Sequence, residues 1–314
     1  MDGSAPPTAS ATAPHARGAY RHPYPGLAGR LLARVLNARA LARMRLALFA
    51  HLPFPVLRSD VADVVYVTWM VDACAAAAWL PAGLRLWTHE GKTPLTVLTY
   101  RHGHFGPALA GPLRRLFPSP LQSNWRLYLD GPLPPGAPAQ TVWFLENIID
   151  NGAYVAATRL FSDIMQTHRP AHFSHGPLGD GYATRIEPGD GSAPSFACTV
   201  APAVRPALPP AFAAAFGRWD DAVTMLACQD AALGWSARLD KLVLSHIDLP
   251  IPLDAVRPLV SVGPVACSLL DALPAAGGPL CFLVPRVPFR VLSETVLADR
   301  RSGGLGEPTL VLSF

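Results

Sequence analysis

The run Gln122-Ser123-Asn124-Trp125-Arg126-Leu127-Tyr128 holds the residues best suited to chemistry in this chain. Side chains alternate along a strand, so Asn124, Arg126 and Tyr128 are predicted to share one face, with Ser123, Trp125 and Leu127 on the other. An amide, a guanidinium and a phenol presented together suit a pocket for a carboxylate or carbonyl ligand, because a guanidinium meets such oxygens with a planar fork of donors. A solvated outer face would show the same alternation. A second strand pattern over 141–147 sets Phe144 and Glu146 on one face and Trp143, Leu145 and Asn147 on the other. Glu146 sits in an apolar run. Beside Arg126 it would be a paired carboxylate, and buried alone its pKa would rise far enough for acid–base work. Structural ion pairs are the commoner case, so Glu146 enters as a catalytic candidate set against a purely structural role.

Histidines supply a competing chemistry. His102 and His104 straddle Gly103 and would point to one strand face, while His168, His172 and His175 crowd a short segment. Two histidines at alternate positions with a third, such as His168, can hold zinc or iron. No carboxylate is placed by sequence to complete that set, and His168 and His172 also fit the flanks of a loop. The first expectation is therefore no metal and no cofactor. Phosphate-cradling glycine loops, a dinucleotide fingerprint and a G-x-S-x-G elbow are all missing, which leaves nucleotide binding and serine-hydrolase chemistry without support.

The elements that must position these residues are mostly strands. From Val64 onward strand signals are dense, with candidates at 84–87, 93–100, 122–129, 141–147, 182–187, 196–200, 241–246, 280–284 and 287–292. The turn His89-Glu90-Gly91-Lys92 is predicted to join the first two as a hairpin. Helices are expected at 74–79, 152–161, 210–216 and from 219 toward 230, and 34 prolines oppose longer ones. The stretch 64–80 is too short and carries Asp72, so it reads as a buried strand running into an Ala-rich helix rather than a membrane span. Residues 26–50 form an Arg-rich amphipathic pattern, read as a helix docking on the main domain, although such a helix can also lie on a membrane or partner. The expected architecture is α+β: a large, antiparallel, closed or partly closed β-rich barrel over 51–314 with a few flanking helices, behind a disordered leader at 1–25.

Half of the 314 residues are apolar and 15% are charged, enough for a large core. The net charge of +4 comes from dispersed arginines, with no basic run interleaved with aromatics, so nucleic acid is not an expected partner. Five cysteines without a C-x-x-C pair, and no secretory signal, point to a reduced, cytoplasmic protein. The expected partner is a small-molecule ligand, and self-association as a homo-oligomer is left open.

Taken together, the strand ending in Thr68-Trp69, the phrase Leu80-Pro81-Ala82-Gly83-Leu84 with Gly91 after it, the 123–128 strand and the 141–147 strand with its following Ala-rich helix resemble the YqjF-like branch of the acetoacetate-decarboxylase-like superfamily. The likeness covers roughly 64–175, and 242–292 is compatible with the closing strands. The resemblance implies a barrel with an internal pocket and places the 122–128 strand among those lining it. It also implies an imine-forming lysine after the helix comparable to 152–161, where this chain reads Ser162-Asp163-Ile164-Met165-Gln166-Thr167. Met165 and Gln166 stand where the lysine pair would be, and neither a thioether nor an amide forms an imine. Lys92 and Lys241 are the only lysines and neither lies nearby in sequence. The expected function is a small-molecule pocket, catalytic or not, without Schiff-base chemistry.

Overall fold

The computed structural model describes residues 18–49 and 52–298. Fourteen strands are described: β1 (Leu57–Asp72), β2 (Arg85–Leu86), β3 (Lys92–Arg101), β4 (Gly106–Pro107), β5 (Leu121–Asp130), β6 (Thr141–Ile149), β7 (His172–Leu178), β8 (Gly181–Glu187), β9 (Phe196–Pro202), β10 (Ala231–Ser236), β11 (Lys241–Asp248), β12 (Arg257–Ser261), β13 (Ala266–Cys267) and β14 (Leu280–Val296). Six α-helices accompany them: α1 (Leu27–Leu36), α2 (Arg39–Phe49), α3 (Ala73–Ala77), α4 (Gly152–Phe161), α5 (Pro210–Phe216) and α6 (Trp219–Ala227).

The strands run β1-β3-β5-β6-β10-β11-β14, and β14 pairs back onto β1, so the sheet closes in a ring. Every neighbour in that ring is antiparallel except β6 with β10. β1 and β14 are the longest strands and hold the closure, pairing from Leu57↔Val291 to Thr68↔Leu280. β12, β9, β8 and β7 continue from β14 as a wing.

Two apolar clusters follow from strand alternation. On β5, Trp125, Leu127 and Leu129 pack with Val65, Val67 and Trp69 of β1 and with Phe196 and Val200 of the wing. The intervening residues face the other way: Tyr128 with Tyr66, Met70 and Phe282, closed off by Phe212 of α5 and Val223 and Leu226 of α6. Both faces of β1 and β5 are thus buried, which is why their sequences lack the polar–apolar contrast of a half-solvated strand.

Helix α4 starts where Asn151 Oδ1 accepts from the Ala153 and Tyr154 amides, and α3 where Asp72 accepts from Ala75. The segment at 26–50 is two helices, broken at Asn37, rather than one; Asn37 exchanges hydrogen bonds with the backbone of Tyr20. Residues 18–25, expected with the leader, are ordered along the domain: Tyr20 is buried, and the carbonyls of Arg21 and Pro23 accept from Ser192 and Asp190. The rest of that leader lies outside the described residues. The 84–87 strand pairs with β5 and not with β3, because β3 turns back onto β1 through the Asp72↔Lys92 register. Among the described residues no helix is long and apolar enough to cross a membrane.

Candidate functional site

A cavity opens inside the ring, and all seven ring strands contribute to its wall. Its polar residues are Tyr66, Tyr100, Gln122, Asn124, Arg126 and Ser245; Val64, Phe144, Met165 and Phe289 are among the apolar ones. The alternation expected on β5 therefore delivers Asn124 and Arg126 to the ring interior.

Arg126 is fully buried, and among the described residues no carboxylate pairs with it. Its Nη2 donates to the Leu226 carbonyl at 2.8 Å, in the last turn of α6, where the helix dipole is negative. Its Nε lies 3.4 Å from Tyr128 Oη, and the rings of Tyr66 and Tyr128 each stand 5.6 Å from the guanidinium carbon. Burial works against the charged form, but Tyr128 and Tyr66 favour it and the net shift is upward, so the cation persists. Burial also pushes the Tyr66 phenol up to about 12 and the Tyr100 phenol higher still, so both remain protonated donors.

Tyr128 does not line the cavity. It sits beside Arg126, bonded to Thr96 Oγ1 and the Leu226 carbonyl at 2.9 Å each. Asn124 does line the cavity. Its Nδ2 donates to Asn147 Oδ1 at 2.7 Å, and its own Oδ1 is buried with no donor among the described residues.

Glu146 is not brought to Arg126. The β5–β6 register shifts between Trp125 and Arg126, which pair with Glu146 and Phe144 respectively, leaving Leu145 as an extra residue on β6. Such a bulge reverses the side-chain alternation beyond it. Glu146 consequently faces outward with Trp125, and Asn147 comes inward to meet Asn124. The outer cleft that receives Glu146 is lined by Trp79, Trp143, Trp235, Gln166 and His168. His168 Nε2 stands 3.7 Å from Glu146 Oε2, while burial holds the imidazole down near 3, so the ring meeting that carboxylate is neutral.

The three candidate metal histidines are dispersed. His102 is buried, donating from Nε2 to Gln122 Oε1 at 2.7 Å and accepting at Nδ1 from Ser59 at 2.8 Å; burial drives it down to about 4. His104 lies past the end of β3 with a left-handed φ of 51°, which turns it away to the Phe117 carbonyl. His168 bonds Ser192 Oγ at 2.6 Å. Among the described residues no group of three or more His, Cys, Asp or Glu is arranged to hold a metal.

Met165 lines the ring cavity and Gln166 the outer cleft, so the two residues at the expected lysine positions part company. Neither Lys92 nor Lys241 reaches the cavity wall. Tyr66, Tyr100 and Ser245 were not legible as site residues. Strand period alone could have placed Tyr66 beside Val64, but an apolar setting on both sides hides which face is inward.

The ring-closed, mostly antiparallel sheet is similar to the fold of an acetoacetate decarboxylase: the enzyme from Legionella pneumophila subsp. pneumophila str. Philadelphia 1 superposes at a TM-score of 0.52 and 12% identity, over 79% of this chain and 89% of that one. Other matches are the enduracididine biosynthesis enzyme MppR (TM-score 0.48, 16% identity, 79% and 89% covered) and an acetoacetate decarboxylase-like enzyme from Sphingomonas wittichii RW1 (0.46, 13%, 78% and 94%). No curated protein matches in sequence. Within that fold the chain belongs to the DUF2071 family of uncharacterized conserved proteins, whose signature matches residues 58–224, more than half of its length.

Proposed function

We propose that the ring cavity binds a small carboxylate or carbonyl compound through Arg126, and that any reaction on it proceeds without an imine. The observation that carries this reading is a buried guanidinium at a cavity wall with no carboxylate to neutralise it among the described residues. A buried charge is costly unless it is paired. Here a helix carbonyl and two aromatic rings offset part of that cost, and an anion in the cavity would offset the rest through a charge-assisted hydrogen bond. The unfilled Oδ1 of Asn124 adds a second requirement, a donor on the ligand, which a hydroxyl, an enol or an ordered water meets. The fold relative from Legionella pneumophila is an acetoacetate decarboxylase by name, which supports the ligand class, while Met165, where the resemblance implies a lysine, supports a different route.

Calorimetric titration with a panel of small carboxylates and their uncharged methyl esters tests this. Wild type should bind at least one acid in preference to its ester, and Arg126→Met should weaken that binding by about 10- to 100-fold, the worth of one charge-assisted bond. Equal affinities in wild type and variant would remove Arg126 from the site. Borohydride treatment in the presence of acetoacetate should leave no adduct on Lys92 or Lys241.

A further inference from the structure

We propose that α1 and α2 form an anchor that lies on an anionic lipid surface, a role independent of the ring cavity. An amphipathic helix on a globular domain ordinarily turns its apolar stripe to the core. Helix α1 does the reverse: Leu27, Leu31 and Val35 are 73%, 59% and 51% exposed. At about 100° per residue these three fall within one arc of about 80°, roughly opposite the Gly29, Ala33 and Leu36 side. That opposite side is the one packed, with Leu36 against Tyr20 and Val155 of α4.

The orientation is fixed, not free. Gly29 approaches the 22–24 segment so closely that a Cβ there would stand 2.9 Å from His22 Nδ1 and 3.0 Å from the Tyr24 carbonyl. Asn37 ties the break between the helices to Tyr20, and Arg45 of α2 is paired with buried Asp163. Helix α2 also carries exposed apolar side chains, Met44 and Leu48.

Charge selects the occupant. Residues 27–49 contain five arginines and no acidic residue. Arg30, Arg34, Arg39 and Arg43 are exposed, and among the described residues none of them pairs with a carboxylate. A second copy of this chain packed face to face would set these arginines against each other with no carboxylate in either patch. An interfacial helix with leucine and valine toward the acyl boundary and arginines at its flank meets lipid phosphates instead, with apolar burial and electrostatic attraction adding.

The test uses the full chain with vesicles of phosphatidylcholine alone and of phosphatidylcholine mixed with phosphatidylglycerol. The protein should sediment with the mixed vesicles and stay in solution with the neutral ones, and raised salt should release it. The double substitution Leu31→Glu and Val35→Glu should lower the partition by about tenfold or more. Each Arg→Gln at 30, 34, 39 or 43 should lower it by about fivefold. All these side chains are exposed, so the circular dichroism spectrum and melting temperature should match wild type. Absence of binding to the mixed vesicles, equal binding to both kinds, or unchanged binding of the double variant would overturn the anchor. A concentration-dependent dimer that Leu31→Glu dissociates would assign the face to a second copy and overturn it equally.

Discussion

Arg126 and the Asp163 cluster bury arginine in two different ways. At the cluster, Asp163 takes both Arg45 and Arg238, the latter at 3.2 Å, with Ser236 Oγ on the same carboxylate. Both cations share a carboxylate supplied by the chain itself. At the ring wall, Arg126 meets a carbonyl and the phenols and rings of Tyr128 and Tyr66, with the cavity in front of it. A third buried arginine, Arg159, also has no paired carboxylate among the described residues: the Thr167 and Gly18 carbonyls and Asn37 take its Nη donors, its Nε is buried without a partner there, and burial lowers it to about 9. What sets Arg126 apart is its place on a cavity wall, and that place supports the ligand role proposed for it.

The largest effect should come from the cluster. Asp163→Ala leaves two buried guanidinium groups without their shared carboxylate and should cost about 3 to 5 kcal/mol in urea unfolding. A loss near zero would mean that the pairing adds nothing over hydration. Arg126→Met should cost less, about 1 to 3 kcal/mol, because the Leu226 carbonyl and the Tyr128 hydroxyl each lose one bond but keep the one between them, and no opposite charge is left behind. If Arg126→Met proved the more destabilising of the two, Arg126 would be a structural residue first.

Stability against pH separates the regions a second time. His102 near 4 and His168 near 3 both lie below the ordinary 6.5, so the unfolded chain binds protons that the folded chain refuses. Their contribution is intact above about pH 6.5 and is lost as pH falls from there toward 4 and then 3, at about 1.4 kcal/mol per pH unit for each group. Glu294 runs the other way: burial raises it to about 7, so its share is present below 4.5 and lost as pH rises through 7. Chemical unfolding of His102→Gln across pH 4 to 6.5 should show a shallower acid slope than wild type. An unchanged slope would place the acid sensitivity elsewhere.

The inward face of β5 was legible in the sequence, the Asp163 cluster was not, and the misses have definite causes. The β5 alternation that sends Asn124 and Arg126 to one face was readable because period 2 holds without interruption there. The same reading failed on β6, where one bulged residue, Leu145, reversed the faces and parted Glu146 from Arg126. A bulge of this kind is set by register against a neighbouring strand, which local sequence does not carry. Helix α4 was legible to its ends because Asn151 caps it and its Ala-rich run stops at Ser162. The break at Asn37 was not, since Arg-rich amphipathy continues across it. Strand β10 was missed as well: Ala231–Ser236 carries little β-branched signal and is a strand because β6 and β11 flank it.

The smallest effect belongs to Asn124→Leu, which should change stability by only about 1 kcal/mol. Its Oδ1 satisfies no donor among the described residues, so only the bond to Asn147 is lost. A much larger loss would show that Oδ1 holds a structural water.

The most direct measurement is a crystal structure of the protein soaked with acetoacetate or another small carboxylate that titrates. The carboxylate should lie inside the ring within hydrogen-bond distance of Arg126, with a ligand or water donor on Asn124 Oδ1 and no covalent bond to any lysine. A carboxylate found only in the outer cleft beside His168, or a side-chain carboxylate of the protein itself seated on Arg126, would contradict the account.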